Sequence, residues 1–257
     1  MPIEYIGVDE AISRGGLRMV VVGGVPSPWG EAAKGILHVK RIEWAAVRLS
    51  YDSEPLKRWA GQRSGPIAIY ENEAPRARWD EILLLAERLA PSPALLPADP
   101  AQRALVLELG GALCGEGGLG WWRRLQLVHA GLNGGTDGFS EPVARYLGKK
   151  YGHTPEAGAA AGARVVEMLG TLAARLSAQR TAGSRYIVGD SLTAADIYCA
   201  TFAAMFRPLP PAQCAMEPTT RAAFEACDDA TQAALDPILF EHREMMYREH
   251  LELPLSL

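Results

Sequence analysis

A serine hydroxyl at the first turn of a helix is the group in this 257-residue chain best placed to do chemistry. It lies in the segment Gly23-Gly24-Val25-Pro26-Ser27-Pro28-Trp29-Gly30. Ser27 takes the N-cap position and Pro28 the first helical position, where a missing N–H costs nothing. The free N–H groups and the positive dipole end that gather there favour anions, thiolates included. Ser27 can therefore present a hydroxyl donor to an anionic nucleophile. An ordinary helix cap uses the same two residues, so on local sequence both roles stand.

The flanking elements must hold that hydroxyl in place. Met19-Val20-Val21-Val22 runs into the turn with the composition of a strand buried on both faces. After the turn, Ala32, Ala33, Ile36, Leu37 and Val39 recur at helical spacing. Residues 44–49 read as a second strand, reached by the short connection Arg41-Ile42-Glu43. Ser53-Glu54-Pro55 caps a helical segment over 56–60. Pro66-Ile67-Ala68-Ile69-Tyr70 reads as a third strand, with proline admissible only at its first residue or on an edge. Trp79, Ile82, Leu83, Leu85, Ala86 and Leu89 form an amphipathic helix. Strands alternating with helices imply a sheet with helices packed on its faces. A proline opening the third strand near the first helix's N-terminus is the arrangement of a thioredoxin-like domain, expected over 17–90. Residues 1–16, hinged at Gly15-Gly16, read as an extension or a loosely held arm.

Four prolines within 91–100 mark a semi-rigid linker. Beyond it, residues 101–257 read as helices only. Asp99-Pro100 opens a helix that runs to Cys114. The glycines of Gly115-Glu116-Gly117-Gly118-Leu119-Gly120 interrupt it. No strand precedes them and no Lys-Ser/Thr follows, so they read as a kink or a close approach, not a phosphate loop. Trp121-Trp122-Arg123-Arg124 opens the next helix, and 141–150 is a short helix with a basic end. The longest helix starts at Thr154-Pro155. Thr193-Ala194-Ala195-Asp196 is a capping box in which aspartate replaces the usual Glu or Gln, with Leu192 and Ile197 as a hydrophobic staple. The helix it opens, 194–206, is almost uniformly apolar and must be buried. Helices over 219–227 and 229–250, the second split at Asp236-Pro237, complete the bundle.

Composition narrows the function classes. A net charge of −4 leaves no electrostatic footprint for nucleic acid or an anionic membrane. No apolar run approaches the ~20 residues needed to span a bilayer. The acidic residues Glu4, Asp9 and Glu10 argue against a secretory signal. Cys114, Cys199, Cys214 and Cys227 lack CxxC spacing, which implies free thiols in a reducing cytoplasm with neither disulfides nor zinc. The five histidines show no ligand spacing, and no metal is expected.

These residues resemble the cytosolic glutathione S-transferase superfamily over most of the chain. Ser27-Pro28-Trp29, with Lys40-Arg41-Ile42 at the far end of its helix, is similar to that family's Ser/Cys-Pro-aromatic active-site turn. Gly65-Pro66-Ile67-Ala68-Ile69 resembles its cis-proline strand, and Gly189-Asp190-Ser191-Leu192-Thr193-Ala194-Ala195-Asp196 its buried capping box, making Thr193 and Asp196 structural residues. The resemblance implies a thioredoxin-like α/β domain joined to an all-α domain and a homodimer. It implies glutathione as co-substrate, with Ser27 stabilising its thiolate and Trp29, Gly65, Pro66, Arg78, Trp79 and Asp80 on the glutathione side. The family usually places Glu-Ser at the start of the helix after the fourth strand. Here Arg78, Trp79 and Asp80 stand there. Asp80 is then the acceptor for the γ-glutamyl ammonium and Arg78 the partner of its carboxylate, unless both are a solvated helix start. The acceptor site implied between the domains takes Trp121, Trp122, Arg123 and Arg124 as candidates: a tryptophan pair for a flat apolar substrate, an arginine for an anionic group. The alternative makes the tryptophans interdomain core and the arginines surface. A serine turn, with no cysteine before Cys114, weighs toward conjugation, peroxide reduction or isomerisation of a small hydrophobic or peroxide substrate. The competing function is a catalytically silent protein that uses the same fold to bind a ligand or another protein.

Overall fold

Alternation along one short strand organises the first half of the molecule. In β2 (Leu17–Val21), Leu17, Met19 and Val21 face one core, and Val20 faces the other. The computed structural model describes residues 3–135 and 137–257. Around β2 lie β1 (Tyr5–Ile6), α1 (Val8–Ser13), α2 (Pro28–Val39), β3 (Ala45–Arg48), α3 (Glu54–Ala60), β4 (Ile67–Tyr70) and α4 (Trp79–Leu89). The sheet order is β1-β3-β2-β4. β3 lies parallel to β1 and β2, while β4 runs antiparallel to β2 with Met19 opposite Ala68. Helices α2 and α4 cover the face of Met19, and α1 and α3 cover the face of Val20. Each fully buried Val, Leu or Met contributes about 1.5–3 kcal/mol relative to exposure.

The second half is helical throughout: α5 (Pro100–Cys114), α6 (Leu119–Leu132), α7 (Glu141–Tyr151), α8 (Pro155–Thr181), α9 (Ala194–Ala203), α10 (Pro218–Glu225), α11 (Asp229–Ala234) and α12 (Pro237–Glu249). The molecule is thus a thioredoxin-like α/β domain packed on an all-α domain. α9 lies at its centre, against α2 on one side and α5 and α12 on the other. The capping box is built around the Asp196 carboxylate, which has no exposed surface. Its Oδ2 accepts from the Thr193 amide at 2.9 Å and the Thr193 hydroxyl at 2.8 Å. Its Oδ1 accepts from the Ile187 amide at 2.7 Å and lies 3.0 Å from His242 Nε2. Each oxygen therefore has two partners, which is what makes a buried carboxylate tolerable.

Two expectations change. The segment read as a loose arm is integrated into the domain: Tyr5 and Ile6 pair with Ala46 and Val47, and Ala11 of α1 is fully buried. It is also held by Arg18, a charged residue in an otherwise apolar strand and only 2 % exposed. Its guanidinium donates to the main-chain oxygens of Ala11, Gly16 and Glu71 at 3.0, 2.6 and 2.8 Å. Met1 and Pro2, the start of that expected arm, lie outside the described residues. α9 also ends at Ala203, with 204–206 continuing as turns.

The linker is pinned on both sides. Lys40, at the C-terminus of α2, donates to the oxygens of Ala90 and Pro93 at 2.7 and 2.9 Å and pairs with Glu87 at 2.6 Å. Leu95 and Leu96 are buried, and the Ala194 amide bonds the Leu95 oxygen. Among the described residues, no helix is long and apolar enough to cross a membrane.

Candidate active site

β2 delivers the chain to the Ser27 turn at the boundary between the domains. Ser27 is the N-cap of α2 by backbone geometry, and the Glu31 amide bonds its main-chain oxygen at 2.7 Å. Its side chain makes no capping hydrogen bond. Among the described residues the hydroxyl has no hydrogen-bond partner, and Ser27 lines a cleft of about 1110 Å³ between the two domains. Across the turn, the Gly65–Pro66 peptide is cis and lines the same cleft. A Cβ on Gly65 would come within 3.3 Å of the Val20 oxygen, so this residue is backed against the end of β2.

Aromatic residues lock the domains at the cleft. The Trp29 indole donates to the Cys114 oxygen at 2.7 Å and meets Phe202 edge-on at 5.1 Å. Gly120, part of the expected kink, makes room for both rings, since a Cβ there would lie 2.4 Å from Phe202 and 2.8 Å from Trp29. Trp79 nests in a notch at Gly110, where a Cβ would come within 2.4 Å of the indole, and it meets Tyr198 edge-on at 5.5 Å. Cys114 also lines the cleft, but burial pushes its thiol well above the usual range. It is packing, not a nucleophile.

At the start of α4, Arg78 lines the cleft and Asp80 does not. Arg78 Nε and Nη2 donate to the two carboxylate oxygens of Asp80 at 3.0 and 2.7 Å. That bond with Arg78 holds the Asp80 carboxyl below the usual carboxylate range. The expected acceptor of an ammonium group is thus already engaged by its neighbour. Gln62 and Ser64 add polar groups on this side.

The opposite wall comes from α6 and α7. At about 100° per residue, Trp121 and Arg124 share the cleft-facing side of α6, while Trp122 and Arg123 turn away. The two expected acceptor-site residues that do not line the cleft therefore have other positions. Trp122 packs against the helical core. Arg123, 1 % exposed, donates to the oxygens of Phe224 and Ala226 at 3.0 and 2.6 Å and to Gln126 at 2.7 Å. Burial pushes its pKa down to about 10. Trp121 meets Tyr151 edge-on at 4.9 Å, and Arg124 lies over the rings of Phe224 and Phe139 at 4.9 and 5.5 Å. Burial pushes the Arg124 pKa down, opposed by the Tyr151 hydroxyl that faces it. Burial raises Tyr151 and lowers Lys150, and Arg124 lowers both further against or along that direction. Among the described residues, Glu116 is the only carboxylate on the cleft wall.

Known proteins share this plan. Residues 155–233 match the sequence model of the glutathione S-transferase C-terminal domain. A glutathione S-transferase domain-containing protein of Marinobacter aquaeolei superposes with a TM-score of 0.59 at 14 % identity, covering 91 % of this chain and 100 % of that one. A glutathione S-transferase of Methylobacterium radiotolerans, solved with glutathione sulfonate, gives 0.55 at 17 %, with 91 % and 92 % covered. A glutathione transferase homologue from Sulfitobacter, solved with bound glutathione, gives 0.52 at 14 %, with 87 % and 99 % covered. Residues 155–233 thus match the C-terminal domain of the glutathione S-transferases, and the chain as a whole has the fold of those solved structures. No curated protein matches it by sequence.

In this glutathione S-transferase fold, the cleft brings together Ser27, Trp29, Gly65, Pro66, Arg78, Trp79 and Trp121, and leaves out Asp80, Trp122 and Arg123. It adds Tyr51, Lys150 and Tyr151, which sequence reasoning did not single out. For Lys150 and Tyr151 the only signal is the basic end of the 141–150 helix. Tyr51 follows β3 in a turn and meets Tyr146 of α7 edge-on at 5.6 Å, a contact with no local signature.

Proposed function

We propose that this protein uses glutathione to conjugate a small electrophile or to reduce a peroxide, with Ser27 stabilising the thiolate. The observation that carries this reading is the free Ser27 hydroxyl at the N-terminus of a 12-residue helix, facing the interdomain cleft beside cis-Pro66. The residues present fit a tripeptide thiol. Gly65 brings bare backbone to the cleft for the cysteinyl amide, and Gln62, Ser64 and Arg78 offer polar partners for its ends. A volume near 1110 Å³ is at the upper edge of single-ligand sites, which leaves space for a second small molecule. Glutathione supplies a thiolate nucleophile when bound. Ser27 donates its hydroxyl proton toward that sulfur, and the α2 dipole adds to the same preference for the anion. The relatives solved with glutathione or its sulfonate support this use of the fold. Four free cysteines support a reducing compartment such as the cytoplasm. A homodimer belongs to the same proposal and is read by light scattering.

The test is turnover of 1-chloro-2,4-dinitrobenzene and cumene hydroperoxide by wild type and Ser27→Ala. The substitution is expected to lower kcat/KM on the order of 10²-fold, as loss of one preorganised donor does. A second reading, a catalytically silent binding protein, is favoured by one observation: the Arg78–Asp80 pair occupies the helix start where an acidic acceptor would be needed. No turnover by wild type and no calorimetric heat with millimolar glutathione would decide for it.

A further inference from the structure

We propose that the helical-domain half of the cleft binds an acceptor carrying a carboxylate, with Arg124 taking the anionic group, Lys150 reinforcing it, and Trp121 receiving the apolar body. This deepens the reading above: the nucleophile rests on that reading, whereas binding of the acceptor does not.

Two adjacent arginines on α6 differ in their partners. Arg123 is buried and its guanidinium bonds three oxygens of its own chain. Arg124 is 8 % exposed, yet among the described residues no carboxylate pairs with it. Its faces lie on the Phe224 and Phe139 rings, and the Tyr151 hydroxyl is the polar group that meets it. A guanidinium carries five N–H donors in a planar fork, so one phenol leaves most of them without an acceptor. Donors left open in that way are available to an anion, which gains a charge-assisted bond that water does not match. The remaining donors have the cleft to reach into, because Arg124 is part of its wall.

Lys150 makes the same point from the next helix. It lines the cleft, pairs with no carboxylate among the described residues, and lies 5.7 Å from the Tyr151 ring. Burial and then Arg124 push the Lys150 pKa down, and the side chains that act on Arg124 itself are the Tyr151 and Tyr51 phenols. Glu116, the only carboxylate on the wall among the described residues, is exposed. The inner cleft is therefore a region of positive potential with low-dielectric walls, which concentrates anions. Trp121, Phe139, Val143 and Leu147 supply the apolar surface beside it. Together they describe a planar or unsaturated carboxylate.

The reactive probe is 4-chloro-3,5-dinitrobenzoate, compared with neutral 1-chloro-2,4-dinitrobenzene. In either reaction the glutathione sulfur forms a bond to the ring carbon, the carbon–chlorine bond breaks, chloride leaves with the electron pair, and the thiol proton goes to solvent. The non-reactive probe is 3,5-dinitrobenzoate against 1,3-dinitrobenzene, titrated without glutathione and read by Trp fluorescence and calorimetry. Wild type is expected to bind the benzoate at least tenfold more tightly than the neutral compound, and Arg124→Met to abolish that preference. Lys150→Met is expected to reduce it about threefold, and added salt to weaken it progressively. The ratio of kcat/KM for the two chlorinated substrates is expected to fall in parallel. Equal binding of both non-reactive probes by wild type overturns the proposal, and needs no variant to fold. So does an Arg124→Met protein that keeps the benzoate preference, or that loses glutathione affinity instead, which would assign the guanidinium to the tripeptide. Benzoate binding without any turnover of the neutral substrate would leave the carboxylate site standing and remove the transferase reading alone.

Discussion

Trp29 Nε1 donates to the main-chain oxygen of Cys114 at 2.7 Å, so the turn that carries Ser27 is tied directly to the last residue of α5. The bond crosses the domain boundary. It makes the width of the cleft depend on how the Trp29 and Phe202 rings settle over Gly120.

Gly120→Ala tests that dependence. The new Cβ has backbone-anchored aromatic rings on its path, at 2.4 and 2.8 Å, so at least one must move. Overpacking of this kind costs about 1–3 kcal/mol. Urea denaturation is expected to show that loss, with the m-value unchanged.

Asp196→Ala removes the acceptor for two amides, a hydroxyl and His242 in one step. Leaving those groups buried without a partner is expected to cost about 3–5 kcal/mol. The same cluster predicts a pH dependence. Burial opposes a charge on His242, but its hydrogen bonds to Asp196 and Cys199 prevail and push its pKa up to about 10. Its folded pKa lies above the unfolded value near 6.5, so its contribution is complete below that pH and is lost as pH rises toward 10. Denaturation midpoints measured across this window should fall in wild type, and His242→Phe should flatten that slope.

Ser27→Cys replaces a donor to a thiolate with a thiolate of the chain's own. At a helix N-terminus that sulfur is favoured as the anion and is competent for mixed-disulfide exchange. The variant is expected to gain reduction of hydroxyethyl disulfide with glutathione while conjugation of the aryl halide falls. Mass spectrometry of the protein incubated with oxidised glutathione should show one glutathionyl adduct absent from wild type.

Arg18→Met should free the N-terminal segment without unfolding the domain. Its three main-chain acceptors lie in α1, in the turn before β2 and after β4, so one side chain ties the three segments together. Charge-assisted bonds of this kind contribute about 1.5–3 kcal/mol each when their loss leaves acceptors buried. Limited proteolysis is expected to cut within residues 7–16 in the variant well before wild type is cleaved.

Elements whose causes lie within a few consecutive residues were determined by sequence alone. The Ser27–Pro28 helix start, the β-branched run of β2, the proline-rich linker and the Thr193–Asp196 box all depend on neighbours in the chain, because caps, proline φ and side-chain shape act over one or two turns. Tertiary structure decided what those elements do. The Ser27 hydroxyl is at a cap position yet faces the cleft. Arg123 and Arg124 are the same residue type one position apart, and a rotation of about 100° sends one into main-chain oxygens and the other onto the cleft wall. Residues 5–13 contain no strong pattern of their own; they are held against the domain by the pairing of Tyr5 and Ile6 with β3 and by buried Arg18, which donates to the Ala11 oxygen. Local signals specify an element. Which face of it meets another element is a property of the packed core, where burial and unsatisfied polar groups choose among the faces that sequence leaves open.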